Sequence, residues 1–377
     1  MKPTTLLAIA AAACLAHAAE PPAAEKPSAP PPPKPVVDVV FVLDSTGSMS
    51  GLIEGAKEKI WSIANSVIGQ KPSPAVRIGL VSYRDRGDEY ITKQYDLTDD
   101  IDEVFKNLRS FKAGGGGDTP ESVNQALHEA VGKMSWSSGK DATKIVFLVG
   151  DCPPHMDYQD DVRYPQTCKQ AAGSNIVINT VQCGNHSATT PVWQEIARMA
   201  EGTYIALAQS GGMVAMSTPH DAEIAKLSAA LGETAIAYGS AAQQSSVREK
   251  NSAAKDAAPS VSAARAAYNT KTGGKAVQGR GDLLADLAEG AVKIESVKED
   301  ELPAEFKGKS AEERKKLIEE RQGKRALLNK QLDDLVRQRS DFIEQEKSRL
   351  KKEGKGDSFD LKVEETIRKQ TKATGTK

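Results

Sequence analysis

The chain has 377 residues, 39% hydrophobic and 27% charged, enough for two domains of ordinary size with linkers. Fifty Lys and Arg stand against 51 Asp and Glu, a net charge of −1. That balance excludes a dedicated nucleic-acid binder, which carries a basic excess, and four cysteines exclude a disulfide-dense scaffold.

In chain order, the first element is an address. Lys2 precedes an apolar stretch from Thr4 to Leu15, and Ala16-His17-Ala18 supplies the small-x-small pattern of a cleavage site. Residues 1–18 therefore read as a signal peptide. The protein is expected to be exported: periplasmic, secreted or at the cell surface. This apolar run is too short to anchor in a bilayer, and no later segment has the apolar length of a membrane helix. Cys14 follows Ala11-Ala12-Ala13, loosely like a lipoprotein box with Ala11 where Leu is usual, which leaves a lipid tether through Cys14 open. Residues 19–35 are a proline-rich linker that favours extended polyproline II.

Val36 to Leu43 is an almost continuous β-branched and aromatic run, as expected of a strand buried on both faces. Leu52 to Ile68 has the spacing of an amphipathic helix. Val76 to Tyr83 and Tyr90 to Tyr95 read as strands joined by the polar turn Arg84–Glu89 into a hairpin. Asp99 to Phe111 is expected to be helical. A glycine run, Gly114 to Gly117, precedes a helix from about Pro120 to Met134. Strands follow at Thr143–Val149, Ile176–Val181 and Thr203–Ala208, with helices at Val192–Ala200 and Ala222–Tyr238. This alternation predicts an α/β fold: a Rossmann-like, doubly wound, mostly parallel sheet with one antiparallel edge strand. It occupies residues 36–240.

Residues 241–281, rich in Ala, Ser, Gln, Lys and Gly, read as a flexible connector, with weak helix as the alternative. Residues 282–377 read as a charged, helical C-terminal region. Within it Ser310 to Lys352 is a long helix in which Leu328, Leu335 and Phe342 recur every seven residues. Arg339 and Glu346 occupy the companion positions, so a solvated amphipathic helix is favoured over an oligomerising coil.

Asp44-Ser45-Thr46-Gly47-Ser48 follows the first strand at once. Alternate residues of a tight loop can point to one side, so one carboxylate and two hydroxyls converge. The glycine loop before Asp118 and Thr119, and Gly150-Asp151 at the end of the central strand, reach the same carboxyl edge of the sheet. Asp44, Thr46, Ser48, Asp118 or Thr119, and Asp151 offer oxygen ligands alone, a set suited to Mg²⁺ and also to Mn²⁺ or Ca²⁺.

Asp-x-Thr-x-Ser after a buried strand, a later glycine-rich Thr loop and a strand ending in Gly-Asp resemble the von Willebrand factor type A domain. The matching feature is its metal-ion-dependent adhesion site, and the wider stretches around Asp44–Met49 and Gly150–Met156 look like bacterial exported members. The resemblance covers about residues 36–240. It implies that Asp44, Thr46, Ser48 and Thr119 hold a cation, with Asp118 as the alternative to Thr119 and Asp151 acting directly or through water. It also implies a protein-binding module, not an enzyme, whose protein partner supplies a carboxylate to the metal.

Two rival readings remain. One is an envelope scaffold acting through the C-terminal helix. The other is a metal-assisted hydrolase, for which His155 is the nearby base. Arg86-Gly87-Asp88 and Arg280-Gly281-Asp282 are read as turn chemistry. Among Cys152, Cys168 and Cys183, a Cys168–Cys183 disulfide is preferred, with three small buried side chains as the alternative. Partner identity and oligomeric state are not legible.

Overall fold

The computed structural model describes residues 34–139, 142–212, 216–353 and 359–374. The signal peptide, Cys14 and the proline-rich linker up to residue 33 lie outside them.

Among the described residues, six strands form one sheet: β1 (Val36–Asp44), β2 (Ala75–Tyr83), β3 (Thr92–Thr98), β4 (Thr143–Gly150), β5 (Ile176–Cys183) and β6 (Tyr204–Leu207). Their order is β3-β2-β1-β4-β5-β6. All neighbours are parallel except β2 and β3. The expected Rossmann-like α/β sheet with one antiparallel edge strand is therefore present. From β1 the chain winds outward one way through β2 and β3, then returns to β4 on the other side. The β1/β4 boundary is thus the switch point, and the crevice at the carboxyl ends of these strands is where such sheets gather ligands.

The period-2 alternation of β1 feeds two cores. Val37, Val39, Phe41 and Leu43 face one layer, built on α1 (Ser50–Ile68) and α2 (Ile101–Ser110). Val40 and Val42 face the other, built on α3 (Val123–Gly132), α4 (Tyr164–Gly173) and α5 (Thr189–Met199). This double burial is why β1 reads as an unbroken apolar run. The helix expected to close the domain at Ala222–Tyr238 is α6 (Asp221–Gly232).

The expectation of a flexible connector at 241–281 is corrected. This stretch forms α7 (Ala241–Lys255) and α8 (Pro259–Lys271). Small size, not disorder, is the reason for its composition: Ala263, Ala264, Ala266 and Ala267 are buried at a close helix–helix approach. Tyr268 meets Trp61 edge-on at 5.5 Å between ring centroids. Asn65 donates to the Ala264 carbonyl at 2.8 Å.

The C-terminal region continues the packing through α9 (Leu283–Ala288), α10 (Ala311–Lys352) and α11 (Phe359–Thr374). Helix α10 buries Leu328, Leu332 and Val336 in one cluster with residues of α6 and α8. The buried stripe is thus i, i+4, i+8. The seven-residue series does not form a seam, since Phe342 is exposed. Arg339, at a position that would spoil a coil, pairs with buried Asp221 at 2.8 Å. Helix α11 places Phe359 against Phe41, with centroids 6.3 Å apart. No described helix is long and apolar enough to cross a membrane.

The cysteine pairing is also corrected. All three described cysteines are thiols. Cys183 lies in the α1/α2 layer and Cys168 in the α3/α4/α5 layer, so the sheet separates them.

Candidate metal site

The site is built on strand ends. Asp44 closes β1, is fully buried, and stands in register with Tyr83 of β2. The loop after it is fixed on both sides. Ser45 N–H donates to the Tyr83 carbonyl at 2.9 Å, Gly114 N–H donates to the Ser45 carbonyl at 3.0 Å, and Gly47 N–H donates to the Gly115 carbonyl at 3.3 Å. Gly115 and Gly116 have φ of 78° and 90°, a left-handed backbone that glycine adopts without strain. This conformation lets the glycine loop lie against Asp44–Ser48.

Thr46 donates to Asp44 Oδ1 twice, from its backbone N–H at 2.8 Å and its hydroxyl at 2.7 Å. The Thr46 and Ser48 hydroxyls are 3.3 Å apart. Asp151 follows β4 and is also buried. Gln209 donates to its Oδ2 at 2.7 Å. The structure thus brings Asp44, Thr46, Ser48 and Asp151 to one edge.

Each carboxylate retains one buried oxygen without a hydrogen-bond partner, Asp44 Oδ2 and Asp151 Oδ1. Orphaned buried oxygens are costly, and a hard cation satisfies both. Burial pushes the Asp44 carboxyl up to about 7, against the two hydrogen bonds from Thr46, and Asp151 raises it further.

The glycine loop delivers its side chains differently from expectation. Thr119 is exposed. Asp118 lies with another group, its Oδ2 3.8 Å from His155 Nε2. The residue brought to the Asp44 edge is Glu121, which sequence reasoning missed. A methyl group on Gly116 would meet Thr46 Cβ at 3.5 Å and Glu121 Oε1 at 3.8 Å. Glu121 is held by a bridge to the loop after β4, its N–H donating to the Pro153 carbonyl at 2.9 Å. Its carboxyl is pushed up to about 9, by burial first and then by Asp44, Asp85, Asp88 and Asp151. Its Oε2 also lacks a hydrogen-bond partner. The only signal in the sequence was its place in Gly-Gly-Asp-Thr-Pro-Glu. Gln209 had none.

The Arg86-Gly87-Asp88 turn lies on this edge but is engaged internally. Arg86 pairs with Asp160 and Asp161 at 2.9 Å each, and Asp88 accepts from the Asp85 and Gly116 N–H groups.

A family model described as von Willebrand factor A domain matches residues 38–219. Residues 38–219 are a von Willebrand factor A domain. A putative ariadne-like RING finger protein of Acanthamoeba polyphaga mimivirus is 23% identical over 238 residues, covering 57% of this chain and 23% of that protein. The alpha-protein kinase vwkA of Dictyostelium discoideum is 27% identical over 122 residues, covering 32% of this chain and 19% of that one. The chain thus spans less than a quarter of the length of these curated relatives. Among solved structures, the SpRpn10 VWA domain is similar with a TM-score of 0.36 and 15% identity, over 46% of this chain and 88% of that one. Type A domains usually mediate protein interactions and often bind a divalent metal, and the described residues include a group able to hold one.

Proposed function

We propose that this type A domain binds a partner protein through a divalent cation held by Asp44, Thr46, Ser48 and Asp151, with Thr119 completing the set directly or through water; Asp118, which stands beside His155, is left out of it. The observation that carries this reading is the pair of buried, unpartnered oxygens Asp44 Oδ2 and Asp151 Oδ1 at the switch point of the sheet. The donor set is oxygen alone, which favours Mg²⁺, with Mn²⁺ or Ca²⁺ as substitutes. When bound, the ion supplies an electrophilic open position. A carboxylate from the partner fills it, and surrounding loops set the choice of partner.

In this reading the protein is a binding module, not an enzyme. It is exported through residues 1–18, whose charged, apolar and small-residue order supports that address. Calorimetric titration of Mg²⁺ into the chelator-treated chain tests the site. Saturable binding is expected, lost in Asp44→Ala. Partner capture that survives both chelator and Asp44→Ala overturns the mechanism. Ester or phosphate turnover abolished by His155→Ala overturns the non-enzymatic part. An N-terminus that remains at Met1 after expression in a secreting host overturns cleavage.

A further inference from the structure

We propose a second metal site of different chemistry, formed by Asp85, Asp118 and His155 and suited to Zn²⁺ or another imidazole-preferring transition ion. His155 is 5% exposed, and its Nε2 has no hydrogen-bond partner. That nitrogen faces two carboxylates, 3.3 Å from Asp85 Oδ2 and 3.8 Å from Asp118 Oδ2. One ligand atom from each residue lies within 4.8 Å of the others. Ligands about 2.0–2.2 Å from a tetrahedral zinc stand roughly 3.4 Å apart. The Asp85–His155 edge already has that span, and only the exposed Asp118 side chain must close.

The supporting groups are those a metal-bound imidazole needs. His155 Nδ1 is 2.8 Å from Asp157 Oδ1. A proton held there toward Asp157 leaves the Nε2 lone pair directed at the two aspartates, the carboxylate–histidine arrangement that fixes tautomer and ring in metal sites. The ring stacks on Tyr158 at 4.0 Å, and Arg86 covers the Tyr158 ring at 4.0 Å. Asp85 is oriented by Ser122, which donates to Oδ1 at 2.9 Å, and by Tyr158, whose hydroxyl donates to Oδ2 at 3.0 Å.

Three carboxylates, those of Asp85, Asp118 and Asp157, surround one ring, and a dication offsets two of those three charges. Two oxygens and one imidazole nitrogen differ from the oxygen-only set at Asp44, so the two sites sort ions by type. Three protein ligands leave a fourth position for water or a partner's side chain.

The test uses the full chain, stripped with chelator and kept in saturating Mg²⁺, titrated with Zn²⁺ by calorimetry. One saturable Zn²⁺ is expected. His155→Asn and Asp118→Asn should each weaken it tenfold or more, while Asp44→Ala leaves it in place. Asp118 is exposed, so its variant folds, and circular dichroism checks both. Co²⁺ in place of Zn²⁺ should give visible bands without near-ultraviolet thiolate absorption. Absence of Zn²⁺ binding, indifference to both variants, loss with Asp44→Ala or a thiolate band each overturns the proposal. Failure of the Asp44 site to bind Mg²⁺ is a separate outcome, read in the Mg²⁺ titration.

Discussion

Arg265 on α8 holds Asp102 on α2 through two hydrogen bonds of 2.6 and 2.7 Å, with both side chains buried. Asp102 also accepts from Gln278 N–H at 2.8 Å, and Arg265 donates to the Ala276 carbonyl at 2.8 Å. Every polar atom of the pair's contact face is thus used, across a boundary that composition alone marks as loose. Breaking one side leaves an uncompensated buried charge. Arg265→Ala should cost about 3–5 kcal/mol, read by urea denaturation. Replacing both residues with apolar ones of similar volume should cost much less. Equal losses would show that packing, not charge, dominates.

The α1 face depends on distant segments for cover. Phe41, Trp61 and Ile60 share a core with Tyr268, Phe359, Val363 and Ile367. Phe359→Ala should destabilise by about 3–5 kcal/mol. A fragment ending at residue 240 loses all of this cover and should unfold at much lower denaturant than residues 34–377. An undiminished midpoint for that fragment would contradict the packing described.

Metal-free stability should carry a pH signature at the acidic edge. The folded carboxyls of Asp44 and Glu121 stand at about 7 and about 9, above ordinary values of 3.8 and 4.5. The folded chain therefore holds these protons more tightly than the unfolded chain. Their stabilisation is complete below the unfolded values and is lost as pH rises through 7 and then 9. In chelator, Glu121→Gln should be more stable than the parent at pH 9 and converge with it near pH 4. An unchanged difference across that range would refute the shift.

Metal should reverse that loss. Mg²⁺ at about 100 times its dissociation constant adds about 2.7 kcal/mol, with protons released on binding near neutral pH. Asp44→Asn should abolish the thermal shift on Mg²⁺ addition while raising the metal-free melting temperature, because a buried charge is removed. A thermal shift retained in the variant would place the ion elsewhere.

The thiols should be inert. Burial pushes Cys168 and Cys183 up to about 12, far from the thiolate form that reacts. Native alkylation should leave both unmodified, and denaturation should expose them. A mass two daltons low before reduction would restore the disulfide.

Strand positions were legible because β1, β4 and β5 are buried on both faces and leave unbroken apolar runs. The edge strand β3 was placed too early: its residues are mostly half-exposed, and such a strand carries a weak pattern. Asp44, Thr46, Ser48 and Asp151 were legible because strand ends place them. Glu121 was not, because its approach depends on a bridge to Pro154 that no local spacing encodes. The alanine-rich stretch at 241–281 misled for a related reason. Small residues signal either disorder or close packing, and only the partner surface, Trp61 and Asn65, decides between them.

Gln209 grips Asp151 Oδ2, and two residues on, the Gly211 carbonyl accepts the Phe359 N–H at 3.0 Å. The last helix is thus moored to the turn that braces the acidic edge. Tension applied to the C-terminus would reach that turn through the hydrogen bond from the Phe359 N–H to the Gly211 carbonyl, so a load on the tail and occupancy at Asp151 act on the same lever.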